Sequence, residues 1–331
     1  MLRSETAADP KRMERALAGL RRYQQAERGP SRPLAPVVAE RHGAALRDYG
    51  GGGAPVLFIP SLINPPSVLD LSRDRSLLRW MADQGFRPLL LDWGWDLEAR
   101  RGLSVAGHVE EIALPLIRSL NHPPALVGYC LGATMAIAAA SAAHATAVVS
   151  IAGPWHFSRF PDDARKRLAT LWQDSERAAA AMGLLPMEVL QSAFWSLDPA
   201  RTVSKFEAFA EMAPDSREAR TFVTLEDWAN DGPPLGEAAA RELFEGFFAS
   251  DRPGRGEWIV KGAVVDPASL PCPLLDIVST TDRIVPQASA PDAGDRLDLA
   301  QGHVGMVVGS RAREQLWEPL AGWLSRNAAS C

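Results

Sequence analysis

The chain has 331 residues, 47% of them hydrophobic and 23% charged, with a formal net charge of −5. That length holds two domains or one large α/β domain carrying an insertion, and the interspersed charge leaves no basic footprint for nucleic acid. Cys130, Cys272 and Cys331 do not make a disulfide framework, and the N-terminal stretch lacks the apolar run and cleavage site of a secretory signal, so the expected compartment is a reducing cytoplasm.

Asp9-Pro10 reads as a capped helix start, with Met13, Ala16, Leu17, Leu20 and Tyr23 at helical spacing behind it. Gly29-Pro30 closes that helix, and a proline-rich connector leads to a hairpin, Val37-Val38 and then Ala44 to Tyr49. The run Gly50 to Gly53 is a turn; with no following lysine and serine or threonine it is not a phosphate loop. Pro55 to Pro60 is almost wholly apolar, as a strand buried on both faces of a parallel sheet reads. Ser72 is expected to cap a helix over Leu77, Leu78, Trp80 and Met81, before a strand from Pro88 to Asp92 and a helix from His108 to Leu120 opened by Ser104.

Ala125 to Tyr129 is the next strand. It ends in Gly128-Tyr129-Cys130-Leu131-Gly132, ahead of an alanine-rich helix with Ala133, Met135, Ala136, Ile137 and Ala140 on its buried side. Glycines two before and two after a central residue are the pattern of a nucleophile elbow, here with cysteine at the corner: strained backbone and close chain approach leave no room for a Cβ. The stretch from Gly132 to Gly153, about 20 residues, has the length of a membrane span. Ser141 and His144 interrupt it, however, and it divides better into a buried helix and a β-branched strand, Ala147 to Ile151.

From about Trp155 to Gly262 the strand-helix rhythm breaks into helical stretches such as Asp162 to Ala181, Pro199 to Met212 and Gly236 to Ala249. Phe157, Phe160, Phe194, Trp195, Phe206, Phe209, Phe222 and Trp228 gather there, which suits a cap over an apolar pocket, although aromatics at helical spacing are more often core. The sheet resumes at Pro273 to Ser279, then Arg296 to Ala300, and an amphipathic helix from Ser310 to Arg326 closes the chain. The expected organisation is an N-terminal helix and connector (1–35), an α/β core with a mainly parallel central sheet (36–155 and 263–331) and a helical cap insertion (156–262).

Cys130, Asp282 and His303 follow one another in the order nucleophile, acid, base, each just past a predicted strand, where open α/β sheets gather their ligands. A cysteine attacks as its thiolate, a form favoured by a helix N-terminus and a neighbouring imidazole. His303 would take the thiol proton and Asp282 would fix the imidazole tautomer. An oxyanion hole would come from the backbone N–H of Leu131, after the nucleophile, and that of Leu62 or Ile63, in the loop after Pro60. Cys272, between two prolines, reads as a small hydrophobe, and Cys331 has no context. His42, His122 and His144 read as surface residues, His108 lies on a helix, and His156 could border the pocket. Asp92 is the alternative acid but precedes the nucleophile, and no paired His or Cys spacing suggests a metal site.

The stretches PSLINPPSVLDLSRDRSLLRWMADQGFRPLLLDWG, LVGYCLGATMAI, LEDWANDGPPLGEA, and CPLLDIVSTTDRIVP with GHVGMVVG carry a resemblance over most of Ala54 to Gly309. In their order and spacing the chain resembles a polyhydroxyalkanoate synthase of the short, two-component class III type, an α/β-hydrolase-fold family. That resemblance implies that Cys130 accepts a hydroxyacyl group from a coenzyme A thioester, with His303 as base and Asp282 as its acid, and that a chain hydroxyl then takes the acyl group. It implies no cofactor beyond the coenzyme A thioester as substrate, a growing polyester chain and a small accessory subunit as partners, homodimer formation, and a place in the cytoplasm at storage-granule surfaces. The family's second glycine after the elbow is replaced by Ala133. A thioesterase or esterase using water on the same triad, and a silent granule-bound homologue, are the other readings.

Overall fold

A computed structural model describes residues 5–29, 32–197, 199–214 and 216–328. Eight strands make one sheet: β1 (Val37–Arg41), β2 (Ala44–Asp48), β3 (Pro55–Ile59), β4 (Arg87–Asp92), β5 (Ala125–Tyr129), β6 (Val148–Ile151), β7 (Leu274–Ser279) and β8 (Asp295–Leu299). In space they run β1-β2-β4-β3-β5-β6-β7-β8. The hairpin β1/β2 and the pair β2/β4 are antiparallel, and every later neighbour is parallel. Parallel neighbours require crossovers, which bring helices onto both faces, and this is why the inner strands are apolar on alternate residues of either parity. Leu57, Leu126 and Val148 face one helical layer, while Phe58, Val127 and Val149 face the other.

Four longer helices precede β6 among the described residues, and the closing helix, Glu318–Asn327, packs Leu320, Trp323 and Leu324 into the core. The first, α1 (Pro10–Gln25), opens at Asp9, whose side chain accepts from Arg12 N. It docks against the later helical segment, with Arg12 Nε 2.9 Å from Glu207 Oε2 and Arg22 Nη1 donating to the Phe209 carbonyl at 2.8 Å. The second, α2 (Leu77–Asp83), is capped by Ser76 and not by Ser72. Ser76 Oγ accepts from Arg79 N at 3.1 Å, because Asp70–Ser72 is drawn into a two-stranded ribbon with Arg75–Ser76. The third, α3 (105–118), begins at Val105, earlier than its apolar spacing suggested, and Ser104 caps it. It widens into a π turn over Val109–Ala113 just before Pro115. Proline has no N–H for the carbonyl of Glu111, and Arg41 Nε donates to that carbonyl at 3.2 Å instead. In α4 (Leu131–Ala142) every residue from Leu131 to Ala140 is buried, so the alanine run that mimicked a membrane span is core. No described helix is long and apolar enough to cross a membrane.

Between β6 and β7 no further strand joins the large sheet among the described residues. The chain there forms α5 (Asp162–Met182), α6 (Met187–Leu197), α7 (Pro199–Glu211), α8 (Arg217–Ala229) and α9 (237–249), of which the last half is a π-helix. The aromatic residues of this segment mostly pack on one another. Phe157 and Phe160 stack with ring centroids 5.9 Å apart, and Phe209 stacks on Phe222 at 4.3 Å. Phe194 and Trp195 lie outside the described side chains, as Cys331 lies outside the described residues. Trp228 is the aromatic of that group that reaches a cavity.

One buried acid stands out in the sheet. Asp276, on β7, is 1% exposed; Ser150 Oγ donates to its Oδ1 at 2.7 Å, and its Oδ2 has no partner among the described residues. Burial pushes its pKa up to about 7, against the lowering effect of the Ser150 hydroxyl. The native carboxyl therefore holds a proton that the unfolded chain has already released, so stability falls as pH rises from the ordinary carboxylate range toward 7, by on the order of 4 kcal/mol. Asp276→Asn cannot ionise. Melting curves between about pH 5 and 8 should show the wild type losing stability relative to the variant, and a constant offset would contradict a buried, protonated Asp276.

Candidate active site

Cys130 sits between β5 and α4 with φ 57° and ψ −131°, a conformation that L-residues avoid. The surroundings hold it there. Its N–H donates to the Ile151 carbonyl at 2.9 Å, and its carbonyl accepts from Ala133 N at 2.9 Å. A Cβ on Gly128 would lie 2.2 Å from the Ala133 Cα, and one on Gly132 would lie 2.0 Å from the Ile59 carbonyl oxygen. Both glycines are thus required by backbone that crosses too near for any side chain. Ala133, where the resembling family has glycine, fits because Gly153 stands opposite: a Cβ on Gly153 would fall 2.5 Å from the Ala133 Cβ.

The acid and the histidine arrive on the loops after β7 and β8. Asp282 Oδ1 accepts from the N–H groups of Ile284 (2.7 Å) and Val285 (3.1 Å), which turns Oδ2 toward His303 Nδ1 at 2.6 Å. Ser279 at the end of β7 donates to the Gln301 carbonyl, tying the two loops together. The Tyr129 ring stacks on the imidazole (centroids 5.0 Å apart, 29° between planes), and its hydroxyl donates to the His303 carbonyl at 3.2 Å. The Asp282 side chain is fully covered and that of His303 is 7% exposed. Burial alone would lower the His303 pKa, but the charge and hydrogen bond of Asp282, with those of Cys130, outweigh it and push it up to about 10. Cys130 is half-buried and opens on the same cavity.

The cavity has a volume of about 490 Å³ and brings Cys130, Asp282 and His303 together with Ile63, Trp228 and Lys205. Its roof comes from α6, α7 and α8, and its floor from the loop at 60–65 and the loops that carry Asp282 and His303. The loop at 60–65 carries the expected oxyanion donors. Ile63 N donates to Ser61 Oγ at 3.2 Å, whereas the N–H groups of Leu62 and Leu131 meet no backbone or side-chain acceptor among the described residues.

The other candidates are placed elsewhere. His156 faces Asp292, 3.2 Å from Nε2 to Oδ2, and does not line the cavity. His108 is buried edge-on to Trp93, its Nδ1 2.8 Å from the Ser104 carbonyl, and burial pushes its pKa down to about 4. Asp92 pairs with Arg47 at 2.7 Å. Burial pushes the Cys272 thiol up, as suits an inert apolar filler. No group of three or more metal-ligating side chains occurs among the described residues. Sequence reasoning missed Tyr129, Ser279 and Gly153; the only sign of the first was a large aromatic between Gly128 and the nucleophile.

A sheet in this order, with a nucleophile elbow after β5, an acid after β7 and a histidine after β8, is the α/β-hydrolase fold. Solved structures agree: a Paleococcus ferrophilus monoacylglycerol lipase (TM-score 0.50, 14% identity, 86% of this chain and 99% of that one) and a laboratory-evolved variant of potato epoxide hydrolase (TM-score 0.52, 14% identity, 88% and 98%) share it. No family model matches the chain. Among curated proteins it is similar to the poly(3-hydroxyalkanoate) polymerase subunit PhaC of Haloferax mediterranei, 27% identical over 293 residues, and to that of Allochromatium vinosum, 26% identical over 292 residues. These matches cover 83% and 82% of this chain, and 59% and 80% of the respective relatives. The chain is thus similar to the poly(3-hydroxyalkanoate) polymerase subunits that its motifs resemble, and it spans about three fifths of the length of the first of them.

The raised His303 pKa is open to a direct check. NMR titration of the imidazole should find it protonated well above its ordinary range, and Cys130→Ala should bring the pKa down by removing the sulfur's charge and hydrogen bond. A titration unmoved by Cys130→Ala would show that the sulfur does not act on the ring.

Proposed function

We propose that this chain is a cysteine acyltransferase that polymerises 3-hydroxyacyl groups delivered as coenzyme A thioesters. The observation that carries the proposal is the geometry around Cys130: a thiol at a strained elbow, acting on a buried imidazole that a carboxylate holds at 2.6 Å. The similarity to poly(3-hydroxyalkanoate) polymerase subunits supplies the substrate class.

The Cys130 thiolate attacks the thioester carbonyl, and the tetrahedral oxyanion is received by the N–H groups of Leu131 and Leu62, with Ile63 engaged by Ser61 until that hydroxyl turns away. Coenzyme A leaves as its thiol with the proton of the His303 imidazolium. His303, neutral again, takes the proton of a chain hydroxyl as that oxygen attacks the acyl-cysteine. The ester forms, the thiolate returns and the polyester is one unit longer. Exchange of one thioester for another is nearly balanced in energy, which suits a cysteine and not a serine at this corner. Asp282 keeps the imidazole oriented and stabilises its charged form throughout.

Water would divert the acyl-cysteine to free hydroxy acid. We assign residues 156–262 as the cap that keeps it out, since α6, α7 and α8 roof the cavity. Arg75, Arg201 and Lys205 line the cavity wall, with Lys205 paired to Glu226 at 2.7 Å and Arg75 donating to the Val308 carbonyl. As proposed, the reaction uses no metal or cofactor, and its partners are the acyl donor, the polyester and an accessory subunit of the kind the resemblance implies.

Incubation with 3-hydroxybutyryl coenzyme A separates this reading from hydrolysis. Polymer or oligomer should accompany coenzyme A release in the wild type, Cys130→Ala should abolish both, and Cys130→Ser should slow release by at least about 100-fold. Free hydroxy acid as the sole product would make the chain a thioesterase.

A further inference from the structure

The loop that bears the expected oxyanion donors is short, irregular and held at both ends by an indole. At its start, Trp93 Nε1 donates to the Pro60 carbonyl at 3.1 Å. Trp93 follows β4 directly and is 3% exposed, so this anchor belongs to the core. At its end, Trp228 Nε1 donates to the Pro65 carbonyl at 2.8 Å. Trp228 is in the last turn of α8, in the helical roof. A second roof contact lies four residues on, where Gly232, at φ +150°, passes so near the Ile63 carbonyl oxygen that a Cβ there would stand 2.8 Å from it. The Pro60 carbonyl belongs to no strand or helix ladder, and Pro65 caps the short 3-10 helix Pro66–Leu69; between them, among the described residues, only the Ser61 Oγ contact of Ile63 holds a peptide plane of the loop.

An oxyanion hole is effective only when its N–H groups already point at the place where charge will develop, and an error of about 1 Å at such a site costs on the order of 100-fold in rate. One anchor comes from the fixed core and the other from the roof. The 3-10 helix after Pro65 itself packs into the core, so seating the roof adds the last constraint on the shape of the loop.

We propose that Trp228 is a positioning residue: its indole N–H, on the Pro65 carbonyl, and the close passage of Gly232 against Ile63 couple the seating of the helical roof to the assembly of the oxyanion hole. The inference rests on the reading of Cys130 as an acyl-accepting nucleophile and adds a control to it, since acyl transfer is switched on only in the conformation that also shuts water out. Trp228 touches no reacting atom in this scheme. Its effect is confined to steps that pass through an oxyanion, which gives it a signature that general loss of structure lacks.

The test compares two reactions of the same thiol in the full-length protein. Iodoacetamide alkylates Cys130 by direct displacement and forms no oxyanion, whereas p-nitrophenyl acetate acylates it through one. Trp228→Phe keeps the bulk and loses the N–H; Gly232→Ala keeps the indole and presses on the Ile63 carbonyl. Each should slow acylation by about 10-fold or more while alkylation stays within roughly twofold of the wild type. Equal acylation rates in wild type and Trp228→Phe would overturn the inference, as would equal losses in both reactions. With 3-hydroxybutyryl coenzyme A as a third reagent the functional reading is judged separately. A wild type acylated by the nitrophenyl ester but not by the coenzyme A thioester would refute that reading and leave the Trp228 comparison standing, whereas a wild type acylated by neither would overturn both.

Discussion

Everything in this site depends on how closely backbone is forced to pass backbone at the elbow. The first turn of α4 crosses the end of β5 and the end of β3 with less than a side chain's clearance, as the contacts that a Cβ on Gly128 or Gly132 would make show. That crowding over-determines the positive φ of Cys130, a strain that typically costs about 1–3 kcal/mol and persists only where neighbours leave no alternative. Its consequence is a thiol that stands out of the sheet at the N-terminus of a helix, beside unbonded N–H groups. Remove either glycine and the side chain has no reason to point at the cavity.

The rest of the molecule brings partners to that fixed point. The parallel sheet carries the loops after β7 and β8 to the same edge, and Ser279 links them. The Asx-type turn of Asp282 presents one carboxylate oxygen to its own backbone and the other to His303. Tyr129, next to Cys130, stacks on the His303 imidazole. Burial would ordinarily lower the pKa of this imidazole; Asp282, with Cys130, outweighs that and raises it. The helical roof then turns a surface edge into a half-covered cavity, and Trp228 joins it to the loop after β3 through the Pro65 carbonyl.

Much of this was legible in the sequence because it is local. An apolar run ending at a glycine-flanked cysteine, a T-T-D turn and a G-H-V-G turn each state their geometry within a few residues, and chain order then fixes their roles. Helix α1 announced itself through Asp9-Pro10 for the same reason. What escaped was set by pairings and contacts that residue types do not state. Ser72 looked like a cap until a ribbon with Arg75–Ser76 moved the cap to Ser76. The aromatics of the helical segment read more often as core than as pocket wall, but not as which core: Phe206, Phe209 and Phe222 pack under Tyr23 of α1, which no periodicity within the segment could indicate. Ala133 looked like a flaw in the motif; its compensation lies at Gly153, on the far side of a strand. The availability of Leu62 and the engagement of Ile63 by Ser61 depend on peptide orientations that residue types alone do not specify.

The central claim is that Cys130 carries the acyl group. Intact-mass spectrometry after rapid mixing with 3-hydroxybutyryl coenzyme A, followed by peptide mapping, addresses it without regard to the final product. A 3-hydroxybutyryl adduct mapping to Cys130, formed in step with coenzyme A release and absent from Cys130→Ala, is the predicted result. Coenzyme A release that continues in Cys130→Ala, or an adduct that maps to another residue, would contradict it.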